Sequence, residues 1–133
     1  MRDIKFRGKR LDNGEWVCGY FAMIMREKPR PGKLTPRVDF CIYANDGEWY
    51  KVDPETVGQY TGLTDKGGKE IYEGDIIKTD FSYATWIGFV HFNKGNFELV
   101  DSDKNGQYLT LSVLSDIEII GNIHDNPELL ETK

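Results

Sequence analysis

Residues that commonly bind metals or act as nucleophiles are scarce in this 133-residue chain, which has two cysteines and two histidines. Cys18 and Cys41 are not at C-x-x-C spacing, and His91 and His124 each stand alone in an apolar neighbourhood. A zinc site would need two further ligands beside the histidines. No metal or cofactor is therefore predicted, and both histidines are expected to be satisfied by hydrogen bonds.

The two cysteines lie inside apolar, strand-like runs. An unpaired cysteine behaves as a small buried hydrophobe, and a reducing compartment keeps it unpaired. We therefore expect Cys18 and Cys41 to be free and buried. A disulfide or a reactive thiol is the alternative.

Long apolar runs are also missing, since none approaches the ~20 residues that a membrane span requires. The first residues pass directly into an alternating pattern without an apolar signal region. We expect a soluble, cytoplasmic protein that does not interact with a membrane.

Sequence signatures of catalysis are absent as well. There is no G-x-S-x-G motif and no phosphate-binding G-x-x-x-x-G-K-[ST] loop. Residues 101–106 match the first half of a calcium loop, but the twelfth position is Ser112 instead of glutamate, and strand-like segments flank it. A turn rich in Asp and Asn explains the same residues. The chain is not predicted to be an enzyme; an enzyme of unspecified chemistry is the alternative.

What the chain does have is alternation of apolar and polar residues between Asn, Asp and Gly turns, which predicts an all-β fold of antiparallel hairpins. In the first strand, Ile4 and Phe6 are expected to point inward. The run 16–25 is apolar on both faces, which predicts a strand that is covered on both sides or contacts another subunit. Gly19 and the aromatic residues favour a strand over a helix there.

Two further patterns complete the predicted fold. The Gly74-Asp75-Ile76-Ile77 corner is typical of small SH3-like barrels, where glycine lets a strand bend sharply. Short helical turns are predicted after Asp53 and Asn126, each a potential cap followed by proline. The chain is expected to be a single domain, with an N-terminal basic sheet and loop over residues 1–57 and an SH3-like barrel portion and C-terminal tail over residues 58–133.

Charge is distributed unevenly along the chain, whose net charge is −5. Residues 1–37 have a net charge of +6, and residues 38–133 have −11. Basic residues beside aromatic rings on one sheet face are the composition that binds single-stranded nucleic acid. The other interpretation is that basic strands lie beside acidic ones, within the monomer or across a subunit boundary. Trp16 and Tyr20 share the side of the strand on which Cys18 lies, so the alternative for these two residues is a place in the core. The candidate binding surface comprises Lys5, Arg7, Lys9, Arg10, Trp16, Tyr20, Arg26, Lys28, Arg30 and Lys33.

Residues 2–9, 12–17, 53–77 and 120–129 resemble the YopX-like family, whose members are small proteins carried by bacteriophages and prophages. The resemblance implies a mainly β fold with an SH3-like barrel, self-association and a location in a bacterial host cell. It implies no enzymatic activity, cofactor or catalytic set. The resulting expectation is an accessory protein that acts by binding and forms a homo-oligomer, with an unidentified host or phage protein as partner. The alternative is a nucleic-acid-binding accessory protein that uses the basic N-terminal sheet and the loop 26–37.

Overall fold

The computed structural model describes residues 4–26, 31–32, 37–101, 104 and 106–131. Eleven strands, all paired antiparallel, and short 3₁₀ turns make up the regular structure of these residues, which confirms the all-β prediction. Among them, no helix is long and apolar enough to cross a lipid bilayer. The strands are β1 (Phe6–Lys9), β2 (Trp16–Met25), β3 (Val38–Tyr43), β4 (Trp49–Lys51), β5 (Gly58–Thr64), β6 (Glu70–Tyr72), β7 (Asp75–Phe81), β8 (Ala84–Asn93), β9 (Asn96–Asp101), β10 (Gln107–Thr110) and β11 (Glu118–Asn122).

The chain divides into two compact units between Gln59 and Tyr60. In the first unit, the strand order is β4-β3-β2-β1, and β1 also pairs with the first two residues of β5. An isolated bridge joins Arg10 to Val52, beyond the ends of β1 and β4. The buried apolar residues in the described part of this unit are Cys41, Ile42 and Val52. Its hydrophobic core is therefore small.

Gly19 determines how β2 approaches β3. A Cβ atom at this position would lie 2.0 Å from the carbonyl oxygen of Tyr43, which is closer than any side chain can come. Glycine is therefore required where the two backbones approach. The next residue, Tyr20, is directly opposite Tyr43.

The second unit contains a five-stranded sheet in the order β10-β9-β8-β7-β11, together with the β5–β6 pairing. One face of this sheet supplies most of a continuous core, and β6 and the segment around the 3₁₀ turn Leu111–Val113 supply the rest. The core residues are Ile71, Ile77, Trp86, Val90, Phe97, Leu99, Leu111 and Ile117. Neither sheet forms a closed barrel of strands within the described residues, so the expected SH3-like barrel is not confirmed.

Two expectations about the first hairpin are wrong. Strand β1 begins at Phe6, and Ile4, which precedes it, is exposed instead of inward-facing. Cys18 is also exposed, whereas Cys41 is free and buried as expected. Cys18 lies opposite Arg7 on a face of the first unit that is only partly covered.

The two helical turns use their asparagine and aspartate differently. The Asp53 carboxylate accepts a hydrogen bond from the Glu55 N–H at 3.0 Å, as a cap should. Asn126 precedes the turn Pro127–Leu130 but makes no side-chain capping bond. Its side-chain oxygen accepts instead from the Asn122 N–H at 3.2 Å. The predicted cap role of Asn126 is therefore wrong.

Candidate functional site

The strand register of the first unit places basic and aromatic residues on one side of the sheet. The side chains of two residues directly opposite each other on paired strands point to the same side of the sheet. Along one strand, the side chains of every second residue also point to the same side. Arg7 pairs with Cys18, and Lys9 pairs with Trp16. We call this side the outer face. Its residues include Arg7, Lys9, Trp16, Cys18, Tyr20, Asp39, Cys41, Tyr43, Trp49 and Lys51.

Trp16 is in contact range of two cations. The guanidinium carbon of Arg7 lies 4.7 Å from the centre of a Trp16 ring, and the Lys9 ammonium lies 5.6 Å from it. Both distances are within the ~6 Å range of cation–π attraction. The two positive groups are thus positioned beside a partly exposed indole.

Three further aromatic side chains form a row across three strands of the outer face. Tyr20 of β2 is opposite Tyr43 of β3, which is opposite Trp49 of β4. The rings of Tyr43 and Trp49 are 4.8 Å apart at 47°. Exposed fractions are 67% for Tyr20, 37% for Tyr43 and 50% for Trp49. We call these three residues the aromatic row.

On the same face, the Asp39 carboxylate forms salt bridges with two cationic side chains. It lies 2.8 Å from Arg26 Nε and 3.6 Å from Lys51 Nζ. The hydrogen bond from Arg26 is the main reason that the pKa of Asp39 lies below its ordinary value, so the carboxylate is ionised at neutral pH. Arg26, a predicted surface residue, is therefore already paired.

Cys41 lies on the same strand between Tyr43 and Asp39 but is fully covered. Burial raises the pKa of its thiol, and the smaller opposing effect of Arg26 does not reverse the shift. A protonated, buried thiol is a poor nucleophile. Cys41 therefore contributes packing and not chemistry.

Arg10 does not belong to the outer face, contrary to the prediction. It follows Lys9, and successive residues of an extended chain point to opposite sides. Its guanidinium lies 4.3 Å from the Tyr50 ring and forms a salt bridge of 2.6 Å with Asp12. The hydrogen bond with Asp12 raises the pKa of Arg10 above its ordinary value.

The remaining predicted surface residues are at or beyond the edge of the described structure. Lys5 is half-buried immediately before β1. Lys28, Arg30 and Lys33 lie outside the described residues. The structure thus brings together Arg7, Lys9, Trp16 and Tyr20 from the predicted set.

Sequence reasoning missed Tyr43, Trp49 and Lys51. The alternating pattern and the Asn45–Gly47 turn predicted the β3–β4 hairpin, and therefore that Tyr43 and Trp49 could be neighbours. The position of this hairpin against β2 could not be predicted, because a segment of twelve residues separates β2 from β3. Only the register between Tyr20 and Tyr43 shows that these aromatic residues share a face with Trp16.

Carboxylates and histidines of the described residues do not form a metal site. Among the described residues, no three His, Cys, Asp or Glu side chains are grouped so that they could hold a metal ion. His91 is exposed and lies edge-on to Phe89, with ring centres 6.2 Å apart. In the segment that resembles half of a calcium loop, residues 101, 104 and 106 are described. The Asp101 carboxylate is buried there and lies 3.8 Å from the Lys104 ammonium, so its neighbour is a cation of the protein itself.

Comparison with known proteins supports the resemblance seen in the sequence. The crystal structure of protein EF1440 from Enterococcus faecalis is similar in fold, with a TM-score of 0.50 and 22% identity over 98% of this chain and 99% of that one. No curated protein sequence matches. The family model described as "YopX protein" matches residues 5–131, which is nearly the whole chain. The chain therefore belongs to the YopX family.

Proposed function

We propose that this protein is an accessory protein that acts by binding nucleic acid, and not by catalysis, through the outer face of its first unit. The observation that carries the proposal is the pair of cations on Trp16, with Arg7 at 4.7 Å and Lys9 at 5.6 Å from the ring. Nε and Nη2 of Arg7 are buried, so the Lys9 ammonium is the proposed phosphate contact. A positive group beside a partly exposed ring suits a nucleotide, which offers a phosphate and a base together.

The charge distribution supports this assignment. Residues 1–59 hold eleven Lys and Arg against nine Asp and Glu, a net charge of +2, whereas residues 60–133 hold six against thirteen, a net charge of −7. Phosphates are attracted to a local concentration of Lys and Arg, and an acidic region elsewhere on a protein repels them. Nucleic acid would therefore be directed to the first unit and away from the second.

The test is a titration of a fluorescently labelled oligonucleotide, followed by anisotropy at several salt concentrations. Substitution Lys9→Gln removes one cation from Trp16, while Lys94→Gln removes an exposed cation from the second unit. Losing a phosphate contact lowers the slope of log K against log [salt] by about 0.7 to 0.9. We expect this loss for Lys9→Gln and not for Lys94→Gln. An absence of binding at 20 mM salt would overturn the proposal.

A second candidate function is self-association, and the observation that favours it is a pair of exposed methionines. Met23 and Met25 are exposed at the end of β2, next to the half-buried residues Phe40 and Val38 with which they pair. Exposed apolar side chains grouped in this way are typical of protein contacts. A second copy of this chain is the proposed occupant, because the opposite charge balance of residues 1–37 and 38–133 makes two copies complementary.

Light scattering tests self-association directly. The expected result is a mass well above the 15.3 kDa of one chain, and a lower mass for the double substitution Met23→Ser and Met25→Ser. The matched control is Val113→Ser, which replaces an exposed apolar residue of the second unit. A monomer at high protein concentration would exclude self-association.

A further inference from the structure

We infer that the ligand is single-stranded nucleic acid, and that its unpaired bases stack on the aromatic row formed by Tyr20, Tyr43 and Trp49. This inference rests on the proposed function and adds the class of nucleic acid and the residues that select it. Its basis is the position and exposure of three rings that the small core of the first unit does not use.

The aromatic row crosses three neighbouring strands of the sheet. Its residues occupy directly opposed positions on three neighbouring strands, and such strands are about 4.8 Å apart. The row therefore spans about 10 Å from Tyr20 to Trp49. Trp16 is four residues from Tyr20 on the same face, which is about 13 Å along β2. The rings extend the contact beyond the pair of cations at Trp16.

The backbone holds the aromatic row in place. Gly19 allows the Tyr43 carbonyl to approach to a distance that a Cβ atom would block. This close approach fixes the register of β2 and β3 immediately beside Tyr20 and Tyr43. The rings of the row are thus carried by paired strands, and a ligand does not have to order a loop in order to use them.

A row of stacking rings selects for unpaired bases. In a duplex, the faces of the bases are stacked on one another and only their edges are accessible. In a single strand, each base offers a free face to an aromatic ring, whatever its sequence. Single-stranded nucleic acid is therefore favoured over a duplex, with weak dependence on sequence.

Exposed tyrosine and tryptophan also line grooves that bind proline-rich peptides. The cations distinguish the two ligand classes here. Arg7 and Lys9 flank Trp16 on the same face. A neutral proline-rich helix has no group for these charges, whereas a nucleic acid strand has one phosphate for every base.

The test compares three probes by fluorescence anisotropy: a labelled dT12 strand, a 12-base-pair duplex of mixed sequence and a labelled proline-rich decapeptide. The variants are Tyr20→Ala and Trp49→Ala. The control is Tyr108→Ala, which removes a ring of similar exposure, 60%, from the second unit. Circular dichroism and a thermal melt establish that each variant is folded.

The expected result is tighter binding of dT12 than of the duplex. Each row substitution should weaken dT12 binding about 5- to 100-fold, with little change for Tyr108→Ala. Equal affinity for dT12 and duplex that falls with Lys9→Gln but not with the row substitutions would overturn this inference and leave the proposed function standing. Failure to bind either nucleic acid at low salt, with or without binding of the peptide, would overturn both.

Discussion

The two compact units differ in where they keep their large apolar side chains. In the second unit, Ile71, Ile77, Trp86 and Leu99 belong to one continuous buried cluster. Among the described residues of the first unit, the buried apolar set is Cys41, Ile42 and Val52, while the exposed large apolar residues include Tyr20, Met23, Met25, Tyr43 and Trp49. Both units are built from antiparallel strands, so the strand pairing does not explain the difference.

This contrast indicates a division of roles. Burying a large side chain stabilises a fold by about 1.5–3 kcal/mol, and leaving several exposed forgoes that contribution. A patch of exposed apolar residues is typical of a surface that meets another molecule. We therefore propose that the second unit is the more stable unit and that the first is the unit that binds.

The largest expected effect concerns the core of the second unit. Ile77→Ala removes a fully buried side chain and should lower the free energy of unfolding by about 2–5 kcal/mol. Met23→Ala in the first unit removes an exposed side chain and should change it by less than about 0.5 kcal/mol. Urea unfolding measures both values. Similar losses for the two variants would show that Met23 is buried in solution.

Two glycines allow the same defect to be introduced in each unit. A Cβ atom would lie 2.0 Å from the Tyr43 carbonyl oxygen at Gly19, and 2.0 Å from the Val100 carbonyl oxygen at Gly88. Either substitution to alanine forces two strands apart and should cost about 1–3 kcal/mol in urea unfolding. Oligonucleotide affinity should fall for Gly19→Ala only, because Tyr20 and Tyr43 are adjacent to it. A parallel loss for Gly88→Ala would place binding elsewhere.

The hairpin turns and β2 itself could be predicted from the sequence. Alternation together with the Asp12–Gly14 turn fixes the pairing of β1 with β2, which is why Lys9 could be predicted beside Trp16. The same alternation should have excluded Arg10 from that face. The exposure of Cys18 is not predictable in this way, because apolar residues on both sides of a strand do not indicate which side is covered.

The rest of the candidate site depends on contacts between residues distant in sequence. Tyr43 joins the face only through its register with Tyr20, and no local pattern determines that register. Asp39 is paired with Arg26 and Lys51, and these three come from the ends of different strands or from beyond them. The sequence alone therefore does not predict that these three side chains neutralise one another.

Because the pKa of Asp65 in the second unit is lowered in the folded protein, we expect stability to depend on pH. Burial alone would raise its pKa, but hydrogen bonds from the N–H groups of Lys69, Ile119 and Gly67 outweigh this effect and lower the pKa. The stabilisation is therefore present above the unfolded-chain pKa of about 3.9 and is lost as the pH falls through the lower folded value.

Substitution Asp65→Asn should lower stability by about 1 kcal/mol or more at pH 7, because one carboxylate oxygen becomes an NH₂ group that cannot accept a backbone N–H, and the remaining neutral oxygen accepts less strongly. The difference from the wild type should shrink as the pH falls from about 5 to below about 3.9, through the lower folded-state pKa. Thermal melts across this range measure it. A difference that stays constant with pH would show that ionisation of Asp65 does not contribute.

The smallest expected effect concerns Asp39 in the first unit. Asp39→Asn removes the charge that neutralises Arg26 and Lys51, so both cations become available to phosphates. Affinity for dT12 at 50 mM salt should increase about 2- to 5-fold, with a steeper dependence on salt. Asp80→Asn, in the second unit, is the matched control and should leave affinity unchanged. Weaker binding of Asp39→Asn would mean that Asp39 orders the face and does not mask it.

Tryptophan fluorescence can test whether nucleic acid binds to the first unit. The chain has three tryptophans: Trp16 and Trp49 on the outer face, and the buried Trp86 in the second unit. In a Trp86→Phe variant, the remaining fluorescence comes from the outer face alone. We expect saturating dT12 to quench it, because bases stack against these indoles. Binding detected by anisotropy without any change in this fluorescence would contradict the account.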